Sequence, residues 1–165
     1  MQAAELFENA ISWLRGNYGD YRFFTERDIV WTIQTHIIKL IEKHNLAYRI
    51  FHNFRTLPGK TTDLAILRQD NSIEVAVEFK YEPSHGRKLT DIWPTKFPVV
   101  FWEDGVGKDM ERIREFVSKG GTGVAYLIFI DEGGYFNRRE PFSGSEWIDW
   151  ENGVSVLLAR VEKSQ

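Results

Sequence analysis

The 165-residue chain sets 21 Lys and Arg against 24 Asp and Glu, a formal net charge of −3, which argues against a basic protein that coats duplex nucleic acid non-specifically. The absence of cysteine excludes disulfides, Cys-ligated zinc and Cys-held iron–sulfur clusters, and makes a reducing cytoplasm the expected setting. A 42% hydrophobic content and this length suit one domain, residues 1–165, with a single substantial core.

Residues 3–15 read as an amphipathic helix, with Leu6, Phe7, Ala10, Ile11 and Leu14 on one side and Gly16, Asn17 and Gly19 ending it. This start has neither a basic leader nor an unbroken apolar run, so no signal peptide is expected. Thr25 and Asp28 form a capping-box pattern opening a helix that runs to about Lys43. Its apolar stripe holds Val30, Ile33, Ile37, Leu40 and Ile41, and Glu26 begins that same stripe.

Strands follow at 46–54 and 61–67, joined by a turn at Leu57-Pro58-Gly59, and then a turn at Gln69-Asp70-Asn71. Residues 73–81 alternate most clearly. Ile73, Val75, Val77, Phe79 and Tyr81 take one face, and Glu74, Ala76, Glu78, Lys80 and Glu82 the other. Residues 83–98 carry Pro83, Pro94 and Pro98 and read as a loop. A helix over 107–118 closes at Gly120-Gly121, and 123–130 is a buried strand. That apolar run, Val124 to Ile130, is too short to span a bilayer, so no membrane contact is expected. Asn152-Gly153 between 147–150 and 154–161 signals a type I′ hairpin. Helix, three strands, helix and strand, with additions at both ends, imply helices flanking a mixed sheet.

Phosphodiester hydrolysis needs an activated water and neutralisation of developing negative charge, and Mg²⁺ or Mn²⁺ held by carboxylates supplies both. Residues two apart on a strand project from one face, so Glu78 and Lys80 can place a carboxylate on the metal and an ammonium beside water or phosphate. Phe79 leaves its backbone carbonyl as a further oxygen ligand, Asp63 can reach the same point across the hairpin, and Glu26 can add a carboxylate, directly or through water. Each has a blander reading. Glu74, Glu78, Lys80 and Glu82 suit the wet face of a half-buried antiparallel strand, Glu26 the positive end of a helix, and Asp63 a strand edge. An acid-x-Lys triplet arises about once by chance in such a chain, so the conjunction and order of these residues carry the weight.

With Glu26 on the first long helix, Asp63, and Glu78-Phe79-Lys80 after 14 intervening residues, the chain resembles the PD-(D/E)XK nuclease superfamily. The element order over about 25–131 is similar to that superfamily's restriction-endonuclease-like αβββαβ core, here with an extra N-terminal helix and a C-terminal hairpin. Thr62 stands where the motif's proline would be. The resemblance implies a metal-dependent nuclease with Asp63 and Glu78 as ligands, Lys80 as the catalytic lysine and Glu26 as a supporting acid. DNA is the expected substrate ahead of RNA, and a homodimer would supply the two sites that cutting both strands requires. The alternative is a catalytically silent member of the same fold that binds nucleic acid or protein.

His85, Arg87 and Lys88, just beyond the acidic cluster, are candidate phosphate contacts or an ordinary solvated loop. Lys108, Arg112, Arg114 and Arg138-Arg139 read as solvent-facing charges, and Trp93, Trp102 and Tyr135 as core or interface aromatics ahead of base-stacking ones. LPGKTT lacks the first glycine of a P-loop, Phe54 standing there, and the four His show no metal spacing.

Overall fold

A computed structural model describes residues 1–90, 99–102 and 104–163, apart from the side chains of 88–90 and 152. Trp93, Pro94 and Pro98 lie outside the described residues, as does the side chain of Lys88. Helix α1 spans Ala3–Asn17 and α2 Glu26–His44. Strands β1 (Tyr48–Leu57), β2 (Lys60–Arg68) and β3 (Ile73–Glu82) follow, then the short helix α3 (His85–Thr90), α4 (Val106–Ser118) and β4 (Val124–Asp131). Strands β5 (Ser145–Asp149) and β6 (Ser155–Glu162) complete the chain.

The expected cap forms: the Asp28 carboxylate accepts the Thr25 N–H at 2.8 Å and the Phe24 N–H at 2.9 Å, fixing where α2 begins. Asn45, with φ of 48°, ends α2 in the left-handed conformation that asparagine tolerates. The turn glycine Gly59 has φ of 72°, which a side chain would strain.

All six strands join one mixed sheet in the order β1-β2-β3-β4-β6-β5, antiparallel except for β3 beside β4. Helix α4 makes the crossover that a parallel pair needs. Helices α1 and α2 cover one face, packing Leu6, Phe7, Ile29 and Ile33 against Val75, Val77, Phe79 and Tyr81. Helix α4 covers the other, setting Met110, Ile113 and Phe116 against Ala76, Ala125, Leu127 and Phe129. The fold is therefore an α/β sandwich around a six-stranded mixed sheet. No described helix is long and apolar enough to cross a membrane.

Three expectations change. Strand β3 is central, parallel to β4 and covered on both sides, so Ala76, Glu78 and Glu82 are buried and its polar face is no wet face. Residues 85–90 of the expected loop are helical, with Ser84 Oγ accepting the Arg87 N–H at 3.3 Å. The last hairpin turns through 150–154 with a 3₁₀ segment at Glu151–Gly153, closed by Trp150 N–H to the Val154 carbonyl at 2.7 Å, in place of a two-residue type I′ turn.

Candidate active site

The hairpin of β1 and β2 stays paired out to Leu57 and Lys60, whereas the β2–β3 ladder ends at Leu64 and Val77. The ribbon thus leaves the sheet, and the fork falls at Asp63, the first β2 residue beyond the Leu64–Val77 pair, as Glu78 is the first on β3. Side chains replace the lost ladder bonds. Thr62 Oγ1 donates to the Val77 carbonyl at 2.8 Å, and the Phe79 N–H donates to Asp63 Oδ2 at 2.7 Å. Thr62 is fully buried and ties down the fork. A strand residue sends its N–H and C=O to the same side, so the Phe79 carbonyl also faces the gap that β2 leaves. On the outer side, Asn53 lies across from Asp63 and takes φ of 48°, a left-handed value that asparagine tolerates and that interrupts the extended run of β1.

Glu78, Lys80 and Asp63 share the sheet face under α4, whose side chains enter the same space. Lys80 Nζ lies 3.0 Å from Asp109 Oδ2 and 3.9 Å from Glu26 Oε2. Arg112 bridges Glu78 Oε2 at 3.1 Å and Asp109 Oδ1 at 3.2 Å, and donates to the Thr61 carbonyl at 2.6 Å. With a Lys60–Glu115 pair alongside, α4 straps the departing ribbon in place. Glu26 meets Lys80 and shares a cleft with Asp63, but among the described residues it does not form a three-acid cluster with Asp63 and Glu78. Among the described residues, no three His, Asp or Glu side chains stand in an arrangement that alone could hold a metal ion.

The electrostatics are unbalanced. Asp63, Glu78 and Asp109 meet Lys80 and Arg112 here, three acids to two bases among the described residues, and Glu26 adds a further carboxylate beside Lys80. Glu78 is 2% exposed. Burial, then the Asp63 carboxylate, push its pKa up to about 9 despite Arg112. Burial also raises Asp63, against the pull of the Phe79 N–H and Lys80. For Lys80, burial opposes the charge, yet Glu26 and Asp109 carry it above the ordinary lysine range, so it stays an ammonium. Glu78 Oε1 is buried without a hydrogen-bond partner. An orphaned carboxylate oxygen, the Asp63 carboxylate and a carbonyl aimed at the gap are hard oxygen donors, a set that fits Mg²⁺ or Mn²⁺ completed by water.

Other candidates take different places. Arg87 forms a buried fork on Glu132, its Nε at 2.9 Å, joined there by the Tyr81 hydroxyl at 3.2 Å, the Tyr18 hydroxyl at 3.3 Å and the Ser84 N–H at 2.8 Å. Its guanidinium anchors the start of α3. His85 is exposed, and its N–H donates to the Tyr135 hydroxyl at 2.6 Å. Trp102 is half-exposed and packs edge-on against Phe101 and Phe142. Sequence reasoning missed Asp109 and set Arg112 in solvent. The available signal was an acid on an apolar helical stripe, with Val106, Met110 and Ile113 beside Asp109. Comparison with known proteins returned no matching family model and no matching curated sequence.

Proposed function

We propose that the protein is a metal-dependent nuclease of restriction-endonuclease-like fold that hydrolyses phosphodiester bonds, with DNA favoured over RNA. One observation supports the reading: where the β2–β3 ladder ends, Asp63 accepts the Phe79 N–H, the neighbouring Glu78 keeps a buried carboxylate oxygen without a hydrogen-bond partner, and Lys80 lies on the same strand face. Asp63, Glu78 and the Phe79 carbonyl would hold Mg²⁺ or Mn²⁺, which when bound supplies an activated water and neutralises the scissile phosphate. Lys80 serves as a permanent cation: with Glu26 and Asp109 keeping it protonated, it orients water and offsets charge on the phosphoryl oxygens. Asp109 and Arg112 are positioning residues, the first aiming Lys80 and the second aiming Glu78.

A second reading has its own support. Lys80 and Arg112 already meet much of the acidic charge, which suits a silent member of the same fold that binds nucleic acid or protein. Cleavage of labelled oligonucleotides in Mg²⁺ and in EDTA separates the two. Metal-dependent cutting that Lys80→Ala abolishes, with folding and Mn²⁺ binding intact, is expected. Wild-type cutting by that variant would sink the assignment of Lys80, and no cutting by the native protein would favour the binding module.

A further inference from the structure

Helix α2 carries Glu26 to the site on its first residue and then presents a second, outward stripe: Arg27, Trp31, Thr35 and Lys39, all exposed. Four-residue steps place successive members about 6 Å apart along the helix, on the scale of one extended nucleotide. Trp31 is 58% exposed, a large apolar surface left in water with a specific address. It lines the open cleft of about 530 Å³ that also holds Glu26, Asp63 and Lys80. On its other side it borders a second depression, of about 300 Å³, that contains Lys39. Across the cleft the His52 ring stands 6.0 Å away at 43°, held by a 3.1 Å contact between its Nδ1 and Gln34 Oε1. Neither Arg27 nor Lys39 is in an ion pair among the described residues.

From these features we infer that the cleft takes an unpaired nucleic-acid strand, with one base stacked on the Trp31 indole and flanking phosphates on Arg27 and Lys39. The inference rests on the nuclease reading for which bond is cut, and not for binding. A duplex hides base faces inside its stack, whereas an exposed indole between two cations offers a face to an unstacked base. The charge pattern agrees. With a net charge of −3 the chain offers little overall attraction to the doubled charge of a duplex, whereas two cations along one helix stripe can meet the phosphates of one strand.

The test is fluorescence anisotropy of a labelled single-stranded oligonucleotide and of a blunt-ended, fully paired duplex, with Ca²⁺ replacing Mg²⁺ to hold off cleavage. The wild type should bind the single strand at least about tenfold more tightly, and Trp31→Ala should lose roughly tenfold to hundredfold in affinity. Trp31→Phe, which keeps a ring, should recover most of it, and Lys39→Ala should lower the salt slope by about one. Circular dichroism and the melting temperature of each variant check the fold. Equal affinity of Trp31→Ala and wild type, tighter binding of the duplex, or a change in sedimentation in place of affinity would overturn the inference. Single-strand binding through Trp31 without Mg²⁺-dependent cutting would retire the nuclease reading and leave this inference standing. Cutting of single strands at wild-type rate by Trp31→Ala would retire this inference alone.

Discussion

Replacing Glu78 by Gln should stabilise the metal-free protein at neutral pH, and more so as pH rises. Glu78 is buried beside Asp63, and its pKa rises from 4.5 in the open chain to about 9 in the fold. Between those values the folded state holds a proton that the unfolded state has released, so stability falls as pH rises through the window. One proton corresponds to about 1.4 kcal/mol per pH unit. At pH 7 the accumulated cost is about 3 kcal/mol, which Gln, neutral and nearly the same shape, does not incur. Urea unfolding of both proteins in EDTA, from pH 5 to pH 8, measures this; the difference between them cancels every other titrating group. The gap should be below about 1 kcal/mol at pH 5 and widen steadily. Millimolar Mn²⁺ should close it by stabilising only the wild type, since the ion displaces the proton. A difference that is flat with pH, or a wild type more stable than Glu78→Gln at pH 8, would refute the reasoning.

Other perturbations follow from the same contacts. Arg112→Ala removes the guanidinium shared by the buried Glu78 and Asp109 side chains and should cost up to about 3 kcal/mol, with Mn²⁺ restoring more stability to the variant than it adds to the wild type; thermal melts with and without the ion check this. Arg87→Ala should lower stability and leave oligonucleotide affinity unchanged, because Arg87 is committed to Glu132; a fall in affinity at unchanged melting temperature would contradict its anchoring role. Burial works against Glu132, but the Arg87 fork holds its pKa below the ordinary carboxylate range. Its stabilising contribution is therefore present above pH 4.5 and lost as pH falls below that value, the opposite sign to Glu78. A Glu132→Gln variant should show a shallower acid unfolding transition.

Periodicity and capping made most elements legible: the Thr25–Asp28 cap fixes α2, and the alternation over 73–81 fixes β3. Their order also implied helices on both faces of a mixed sheet, as found. The burial of β3's charged face was not legible, because alternation says which residues share a face and not what covers it. That depends on α4 crossing over to place β3 beside β4. The fork at Asp63 was hidden for a similar reason: a strand's own pattern does not say where its neighbour stops pairing. Asp63, Glu78 and Lys80 lie on one sheet face as local spacing implied, whereas Glu26, on a separate helix, comes within 3.9 Å of the Lys80 ammonium. Asp109 and Arg112 reach the site through tertiary packing, and only Asp109's place on an apolar stripe hinted at it. Trp31 lay on α2's outward side, where an exposed aromatic gives no periodic signal.

The most direct measurement is anomalous diffraction from crystals grown with Mn²⁺ at pH 8. A peak within coordination distance of Asp63 and Glu78, at the fork between β2 and β3, is the expected result. An empty fork with Arg112 still on Glu78, or a peak elsewhere on the molecule, would contradict the proposed chemistry.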